Sequence, residues 1–436
     1  MNEALASARR VHLSVGNFAD RVISSKMARQ AVWLFGLNSA ARGMAFIGSA
    51  YAARCLGPAN LGISALVASI SQLVVVLANG GLDTVAVRRI AANPGCARGI
   101  TASIVWFRTR LLAAILPLGL CAVLILTSGE HAFAWCVGAI LPIGTSFGLS
   151  FVFQGLEKLP LQALVSVLTS AVTAAAFFFF RPGMPAGSDV AVMAFAGFCG
   201  MLLSFWLFRA LASQGGTDEP APAIAALLRE SRPYWMLAVV VYCYSTLQVP
   251  LVGYIAGKQS LGAYRSALML VAGLDLLYSS INSLLLPRLV AWRRKGPTFL
   301  WHRQKELLFL FLFSGGAISA GVISLAPVVY RRFLGVAFTE AILPFQILVV
   351  GRLAVFVGQI FAWSLSALHL DRQFFLASLA GAVFSVGANL LFVPCYGIVA
   401  AAVVSVLSEI VVHGLCFISV KRYISRAIAI SATNPI

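Results

Sequence analysis

The sequence GISALVASISQLVVVLANGGLD, residues 62–83, has the composition of one membrane-spanning helix. Its only charged residue is the last one, Asp83. A helix needs about 20 predominantly apolar residues to cross the hydrocarbon core of a bilayer. The stretch has that length, so it predicts a transmembrane segment and sets the pattern for the rest of the chain.

The whole chain of 436 residues has the same character. Hydrophobic residues make up 60% of it and charged residues only 11%, whereas soluble proteins carry about 25% charged residues. A soluble protein of this size could not cover its surface with so little polar material. The composition therefore predicts an all-α, polytopic membrane protein. The net charge of +18 is then a sign of loop cations that set topology, and it does not indicate nucleic-acid binding.

Apolar runs bounded by charges, prolines and glycines predict twelve transmembrane helices. The predicted helices cover residues 31–54, 62–83, 102–127, 132–154, 161–180, 189–210, 233–255, 262–286, 306–329, 342–367, 373–394 and 397–420. Most of the 32 Lys and Arg residues then fall in segments on one side of the membrane. Because cytosolic loops carry the excess of cations, both termini are expected in the cytosol.

A weak internal repeat divides the chain. LGPANLG at 56–62 aligns with AGKQSLG at 256–262, and Arg88 aligns with Arg288. The repeat predicts two six-helix lobes around a central cavity, over residues 31–212 and 233–421. Residues 1–30 are expected to form a cytosolic N-terminal segment, residues 213–232 a cytosolic linker, and residues 422–436 a cytosolic tail.

Four charged residues lie near the middle of predicted helices, where a charge costs about 2.5–3.5 kcal/mol on insertion scales. They are Arg42, Asp275, Arg352 and Glu409. Each belongs to a polar stripe at helical spacing: Asn38 shares a face with Arg42, Gln359 with Arg352, and His413 with Glu409. Such stripes indicate a hydrated interior between the helices.

The predicted roles of these residues differ. Arg352 and Glu409 are expected to form a structural ion pair, although Glu409 is also a candidate for ion coupling. Arg42 suits a phosphate-bearing ligand, because the guanidinium fork matches phosphate oxygens. Asp275 and Asp83 are further candidates for a cavity acid that carries a coupling proton or Na⁺. Neutral polar side chains of the cavity wall complete the predicted substrate site: Asn38, Gln72 and Gln248.

An enzyme is not indicated. The sequence has no DxD motif, no Gly-rich phosphate loop and no metal-ligand cluster. No cofactor is expected. Membrane glycosyltransferases and polymerases generally need acids or histidines in sizeable aqueous loops, and the predicted loops are short. A glycosyltransferase or polymerase therefore stays the weakest of the open alternatives.

Five segments in order resemble the bacterial polysaccharide biosynthesis transporters, the O-antigen and exopolysaccharide flippases. The first is CLGPANLGISALVASISQLVVVLANGGLDTVAVRRIA at 55–91. The others are FQGLEKLPLQALVSVL at 153–168, YIAGKQSLGAYRSALMLVAGLDLLYSSINSLLLPRL at 254–289, LPFQILVVGRLAVFVGQIFAWSLSALHLDRQ at 343–373 and FVPCYGIVAAAVVSVLSE at 392–409. Each segment alone is a loose match, and the ordered set covers most of the chain.

The resemblance implies the fold of the multidrug/oligosaccharidyl-lipid/polysaccharide (MOP) exporter superfamily, which is shared with the multidrug and toxin extrusion (MATE) transporters. It implies movement of undecaprenyl-diphosphate-linked oligosaccharide across the bacterial inner membrane by alternating access, coupled to Na⁺ or H⁺. Partners implied are inner-membrane lipids and the polysaccharide polymerase and chain-length machinery. The family's cationic cavity matches Arg42 and adds Arg265 to the expected substrate site. A drug/cation antiporter of the same fold remains the main alternative.

Overall fold

The computed structural model describes residues 26–126, 129–212, 222–282 and 285–433. Within these ranges the chain is helical and contains no strand. Residues 1–25 of the predicted N-terminal segment and residues 213–221 of the predicted linker lie outside the described residues, and so does the side chain of Asn38. We call the chain up to residue 212 the first half and the chain from residue 222 the second half.

The first half contains seven α-helices among its described residues. They are α1 Lys26–Asn79, α2 Leu82–Ala92, α3 Ala97–Leu126, α4 Ala132–Ser146, α5 Ser150–Gly155, α6 Leu159–Phe178 and α7 Ser188–Ala212. A short 3₁₀ helix, Pro94–Cys96, joins α2 to α3. The Asn93 side chain caps it by accepting a hydrogen bond from the Gly95 N–H at 3.1 Å.

The second half contains six α-helices in the part that the structure describes. They are α8 Ile224–Ser245, α9 Gln248–Asn282, α10 Leu285–Arg293, α11 Pro297–Val329, α12 Ile342–Ala367 and α13 Asp371–Thr433. A π-helical turn, Tyr330–Leu334, and a 3₁₀ helix, Val336–Ala341, connect α11 to α12.

Glycines break the three longest helices. Gly57 interrupts α1 with φ 72° and ψ 168°, and Gly257 interrupts α9 with φ 84° and ψ 168°. Gly397 interrupts α13 with φ 56° and ψ −141°. Glycine adopts this positive-φ region without a Cβ penalty. The breaks in α1 and α9 stand at equivalent positions of the sequence repeat, so the repeat has a counterpart in the backbone.

The two broken helices cross where these glycines lie. A Cβ atom on Gly62 would overlap the carbonyl oxygen of Lys258, and one on Gly262 would overlap the carbonyl oxygen of Pro58. The contact is therefore reciprocal between α1 and α9 and depends on glycine at both positions. Small residues are what let helices approach this closely in membranes.

Nine stretches of the described chain are long and apolar enough to cross a membrane, compared with the twelve helices that the sequence predicts. The protein is thus a multi-pass membrane protein. Three of the nine exceed 50 residues: Ser39–Ala92, Ile224–Asp275 and Asp371–Ala427. Each of these contains one of the glycine breaks.

The predicted linker is wrong in its second part. Residues 224–232 are helical and begin α8, so the helix starts before the predicted boundary at 233. Arg229, Glu230 and Arg232 suggest a loop by their charge, but Glu230 binds Arg89 of α2 at 2.7 Å and Leu227 is buried. This docking on the first half stabilises the helical start.

Candidate functional site

Four helices of the second half, α8, α9, α12 and α13, enclose a polar cavity inside the apolar bundle. Two adjoining spaces of about 70 and 330 Å³ share the side chains of Ser245, Arg352 and Glu409. We call this the second-half cavity. The wall also includes residues that the sequence places on the stripes of α12 and α13: Gln359, Ser366, Ser405 and His413. Helical periodicity brings these stripes to one side of each helix.

The charges of the second-half cavity are paired differently from the prediction. Arg352 on α12 lies 3.7 Å from Asp275 on α9, measured from Nε to Oδ1. Glu409 lies 3.6 Å from Nε2 of His413, one turn further along α13. Among the described residues no ion pair joins Arg352 to Glu409, so the expected pair is wrong.

Gln248 belongs to the same cavity. Its side chain is 2% exposed, and its amide nitrogen donates to the Ser245 carbonyl at 3.3 Å and to the Ser405 hydroxyl at 3.5 Å. Its carbonyl oxygen is buried without a hydrogen-bond partner. The cavity wall therefore presents one unused acceptor beside a carboxylate and a guanidinium.

Arg42 lies elsewhere, on the first segment of α1. Its side chain is exposed, and a guanidinium nitrogen donates to the Ser166 hydroxyl of α6 at 3.4 Å. No acidic side chain forms an ion pair with it among the described residues. Most of its hydrogen-bonding capacity is thus available to a ligand. Gln72, further along α1, is also exposed and does not line the second-half cavity.

Asp83 is engaged in a tight ion pair. Its Oδ1 lies 2.7 Å from Nη2 of Arg108, and Arg108 also donates to the Ser146 carbonyl at 2.6 Å. The Arg108 side chain is 1% exposed. By charge alone Arg108 resembles the cations of the cytosolic loops, and the sequence gives no sign of its burial. Because a buried arginine needs its counter-ion, Asp83 is better explained as that counter-ion than as a cavity acid.

Arg265 is half-buried on α9 near the crossing of α1 and α9. It interacts electrostatically with Asp189 in the first turn of α7. The two charges belong to different halves of the chain, so they contribute to holding the halves together. Asp189 was missed at the sequence level because it stands at the boundary of a loop and a helix, where an acid is ordinary.

The described residues contain no group of three or more His, Cys, Asp or Glu side chains that could hold a metal ion. In the first half the candidate site contains one exposed arginine, Arg42. In the second half it contains Arg352 together with two acids and a histidine. Such groups can bind an anion and exchange a proton.

Comparison with known proteins gives the family. The family described as "polysaccharide biosynthesis protein" matches residues 27–292. A putative O-antigen transporter of Escherichia coli (strain K12) is 24% identical over 68% of this chain and 73% of its own length. The probable low-salt glycan biosynthesis flippase Agl15 of Haloferax volcanii is 21% identical over 88% of this chain and 81% of its own.

Two solved structures show the fold. An inward-facing MATE family multidrug resistance transporter of the MOP superfamily superposes with a TM-score of 0.70 at 15% identity. It covers 89% of this chain and 96% of that one. The lipid II flippase MurJ, in an inward closed conformation, gives a TM-score of 0.69 at 14% identity, over 89% of this chain and 87% of that one.

Proposed function

Because the chain belongs to the family of polysaccharide biosynthesis proteins, we propose that it is a flippase for lipid-linked glycans. Its substrate is an undecaprenyl-diphosphate-linked oligosaccharide repeat unit, which it moves across the bacterial inner membrane for surface or exopolysaccharide assembly. The names of its O-antigen and glycan-flippase relatives support this assignment. Polymerase and chain-length proteins would take up the product on the outer side.

The observation that carries the proposal is Arg42. A guanidinium within a membrane-spanning segment is costly unless it has a partner or faces water. The side chain of Arg42 is exposed and hydrogen-bonded to a single hydroxyl. A diphosphate provides pairs of anionic oxygens that the planar arginine fork binds in bidentate fashion. Arg42 therefore holds the diphosphate, and the exposed side chain of Gln72, further along α1, contacts the substrate.

The architecture we propose has twelve spans in two lobes, residues 31–212 and 233–421. The glycine breaks of α1, α9 and α13 support it, because each divides a stretch that is too long for a single crossing. A helix of more than 50 residues would be about 75 Å long, more than twice the hydrocarbon thickness. The proposed even number of spans and the bias of Lys and Arg support cytosolic positions for both termini.

Alternating access uses the crossing of α1 and α9 as its outer closure. In the proposed orientation Gly57 and Gly257 lie at the outer surface, so the reciprocal Gly62 and Gly262 contact seals the outer side. Arg42 lies toward the inner side of that seal. The conformation then accepts substrate from the cytosolic leaflet, and separation of α1 from α9 releases it outside. Coupling to an ion gradient is assigned to Glu409 of the second-half cavity and to Asp275, which pairs with Arg352 of the cavity wall.

Deletion of the gene followed by lipid analysis tests the function. A flippase predicts that a lipid-linked repeat unit accumulates on the cytosolic leaflet while surface polysaccharide is lost, and that the wild-type gene restores both. Loss of surface polysaccharide with no lipid-linked intermediate would instead place the protein before assembly of the repeat unit and contradict the proposal.

A drug/cation antiporter is the second candidate, and the acids of the second-half cavity favour it. Glu409 lines the cavity and Asp275 lies 3.7 Å from Arg352 of its wall, and a MATE transporter is among the structural neighbours. Resistance to cationic drugs conferred by expression of the wild-type chain, without any defect of surface polysaccharide in the deletion strain, would support this candidate over the flippase.

A further inference from the structure

We propose that the corner formed by α10, the start of α11 and the end of α13 binds anionic phospholipid, with the headgroup phosphate on its cations and the acyl chains along α11. We call this corner the basic surface. Its cations are the six Lys and Arg residues of segment 288–306 and the three of segment 421–426. In the proposed orientation both segments lie on the cytosolic side. The proposal does not depend on the flippase function, and its test involves no transport.

The basic surface has many more cations than acids. All nine cations are exposed, and Glu306, which pairs with Arg303, is the only acid of the two segments. In the first half, by contrast, exposed Arg89 pairs with Glu230 at 2.7 Å. The cation bias that sets topology explains on which side of the membrane these residues lie. It does not explain nine cations with a single acid, and such clusters attract anionic headgroups.

Aromatic rings hold several of these cations close together. The Lys295 ammonium lies 5.2 Å from the centre of the Phe299 ring, and the Arg303 guanidinium carbon lies 5.4 Å from the same centre. The Lys305 ammonium lies 5.3 Å from the centre of the Trp301 ring. Attraction between a cation and a ring face stabilises such contacts. The cations are therefore gathered before a ligand arrives, which lowers the cost of ordering them around a phosphate.

The end of α13 joins the same surface through Trp301. The ring of Trp301 lies 6.2 Å from that of Phe417 on α13. Lys421 stands one turn beyond Phe417 on the same face of that helix. Ile424 is 2% exposed and belongs to the core of the second half, so the end of α13 is packed against the bundle. The two basic segments thus lie side by side.

Hydrogen bonds to α12 fix the basic surface in place. Arg293 of α10 donates to the Ala367 carbonyl, at the end of α12, at 2.6 Å. Gln304 of α11 is fully buried, and its amide donates to the Ser364 hydroxyl at 2.7 Å. Both sides of the turn between α10 and α11 are therefore attached to the same helix. The cations project from a rigid corner and not from a free loop.

The surface next to the cations identifies the ligand as a phospholipid. Phe309 and Phe313 follow Lys305 at intervals of four residues, so the three share one face of α11. The two phenylalanines are 71% and 81% exposed, within a stretch that is apolar enough to cross a membrane. One face therefore passes from cation to apolar side chains within two helical turns. This matches a phosphate followed by acyl chains, whereas a soluble acidic protein or a nucleic acid would match the cations alone.

Photocrosslinking of the full chain tests the site. The protein is placed in phosphatidylcholine nanodiscs that contain some phosphatidylglycerol with a diazirine near the start of one acyl chain, and peptide mass spectrometry locates the adducts. Adducts should concentrate on residues 305–313 of α11. Phosphatidylcholine with the same diazirine should label this segment at least about fivefold less, the factor expected of a single cation near an anionic headgroup. Salt at about 1 M should reduce the difference.

Substitution of exposed cations shows whether the basic surface causes the preference. R294Q/K295Q/K305Q should lower labelling by phosphatidylglycerol to the level of phosphatidylcholine. The matched control R110Q/K158Q/R209Q removes three exposed cations from the first half and should leave the labelling unchanged. Should the first variant fail to accumulate, K421Q/R422Q/R426Q provides the same test on α13 and should also lower the labelling of α11.

Two results would overturn the inference. Equal labelling of residues 305–313 by the two lipids would exclude a site for anionic phospholipid and leave the cations to a soluble acidic partner. Equal labelling by phosphatidylglycerol in the basic-surface variants and in the control would show that the preference arises elsewhere. Neither result bears on the flippase function, which the deletion experiment tests separately.

Discussion

In the first half of the chain Arg108 is 1% exposed and 2.7 Å from Asp83, whereas in the second half Arg352 is 31% exposed and 3.7 Å from Asp275. The first pair is short and its arginine is buried, although Asp83 itself is 40% exposed. The second is longer and opens onto a cavity that holds a further acid. Tight burial fixes an ion pair in one arrangement, and a looser pair beside a second acid can change partners.

The backbones of the two halves are nevertheless related. Gly57 and Gly257 share nearly the same φ and ψ values, and the close contacts of Gly62 and Gly262 are reciprocal. The repeat therefore determines how the halves meet, while the side chains differ in what they bind. We propose anion binding for the first half, through Arg42, and ion coupling for the second.

The largest expected effect is at Arg42. Arg42→Ala should reduce flipping by about tenfold or more, because a charge-assisted hydrogen bond contributes about 1.5–3 kcal/mol and 1.4 kcal/mol is a factor of ten. Arg42→Lys retains the charge but not the guanidinium fork, so its flipping rate should lie between those of the wild type and Arg42→Ala. Surface polysaccharide and lipid-linked intermediate are measured at equal protein levels in the membrane.

The matched control for Arg42 is Arg110→Ala. Arg110 is exposed on α3, and its guanidinium lies 3.9 Å from the centre of the Trp106 ring. Its loss should leave export unchanged. Normal export in Arg42→Ala, or an equal loss of export in the two variants, would contradict the proposal that the first half binds the anion.

At Asp83 we expect an effect on stability and not on transport. Asp83→Asn leaves Arg108 buried without its counter-ion and should cost about 3 kcal/mol, the lower end of the range for broken buried pairs, because Asp83 is partly exposed. Thermal unfolding in detergent measures the loss. Glu306→Gln breaks an exposed pair and should cost less than about 1 kcal/mol. Equal unfolding temperatures for the two variants would contradict a structural role for Asp83.

The smallest of these effects concerns the shared crossing. Gly62→Ala should destabilise the contact of α1 with α9 by about 1–3 kcal/mol, the typical cost of overpacking, and should increase the population in which the helices are apart. Spin-label distances between positions 60 and 258, in a cysteine-free background, report that population. Gly43→Ala, at a glycine with open space, should leave the distances unchanged. A distance distribution unaffected by Gly62→Ala would exclude the crossing as a closure.

Sequence reasoning recovered what depends on periodicity. The all-α membrane fold follows from apolar length, and the polar stripes of α12 and α13 follow from helical spacing, so Arg352, Gln359 and Glu409 lie in one cavity as their positions suggest. The repeat at Gly62 and Gly262 was visible because glycine at a close helix contact leaves little choice of residue.

What depends on the rotation and crossing of helices could not be predicted. Arg352 pairs with Asp275 and not with Glu409, since the choice between two acids depends on which helix presents its carboxylate first. Arg108 resembles a surface cation in the sequence. Charge alone does not distinguish an arginine in a cytosolic loop from a buried arginine in an ion pair near a helix end. The start of α8 depends on a contact with Arg89 that no local pattern shows.

The most direct test of the central claim is flipping by the purified protein. Liposomes are prepared with labelled undecaprenyl-diphosphate oligosaccharide, and the glycan exposed on the outer leaflet is cleaved by an added glycosidase. Wild-type protein should make the glycan of the inner leaflet accessible over time, and Arg42→Ala should leave it protected. An accessible fraction that is the same in wild-type and protein-free liposomes would contradict the account.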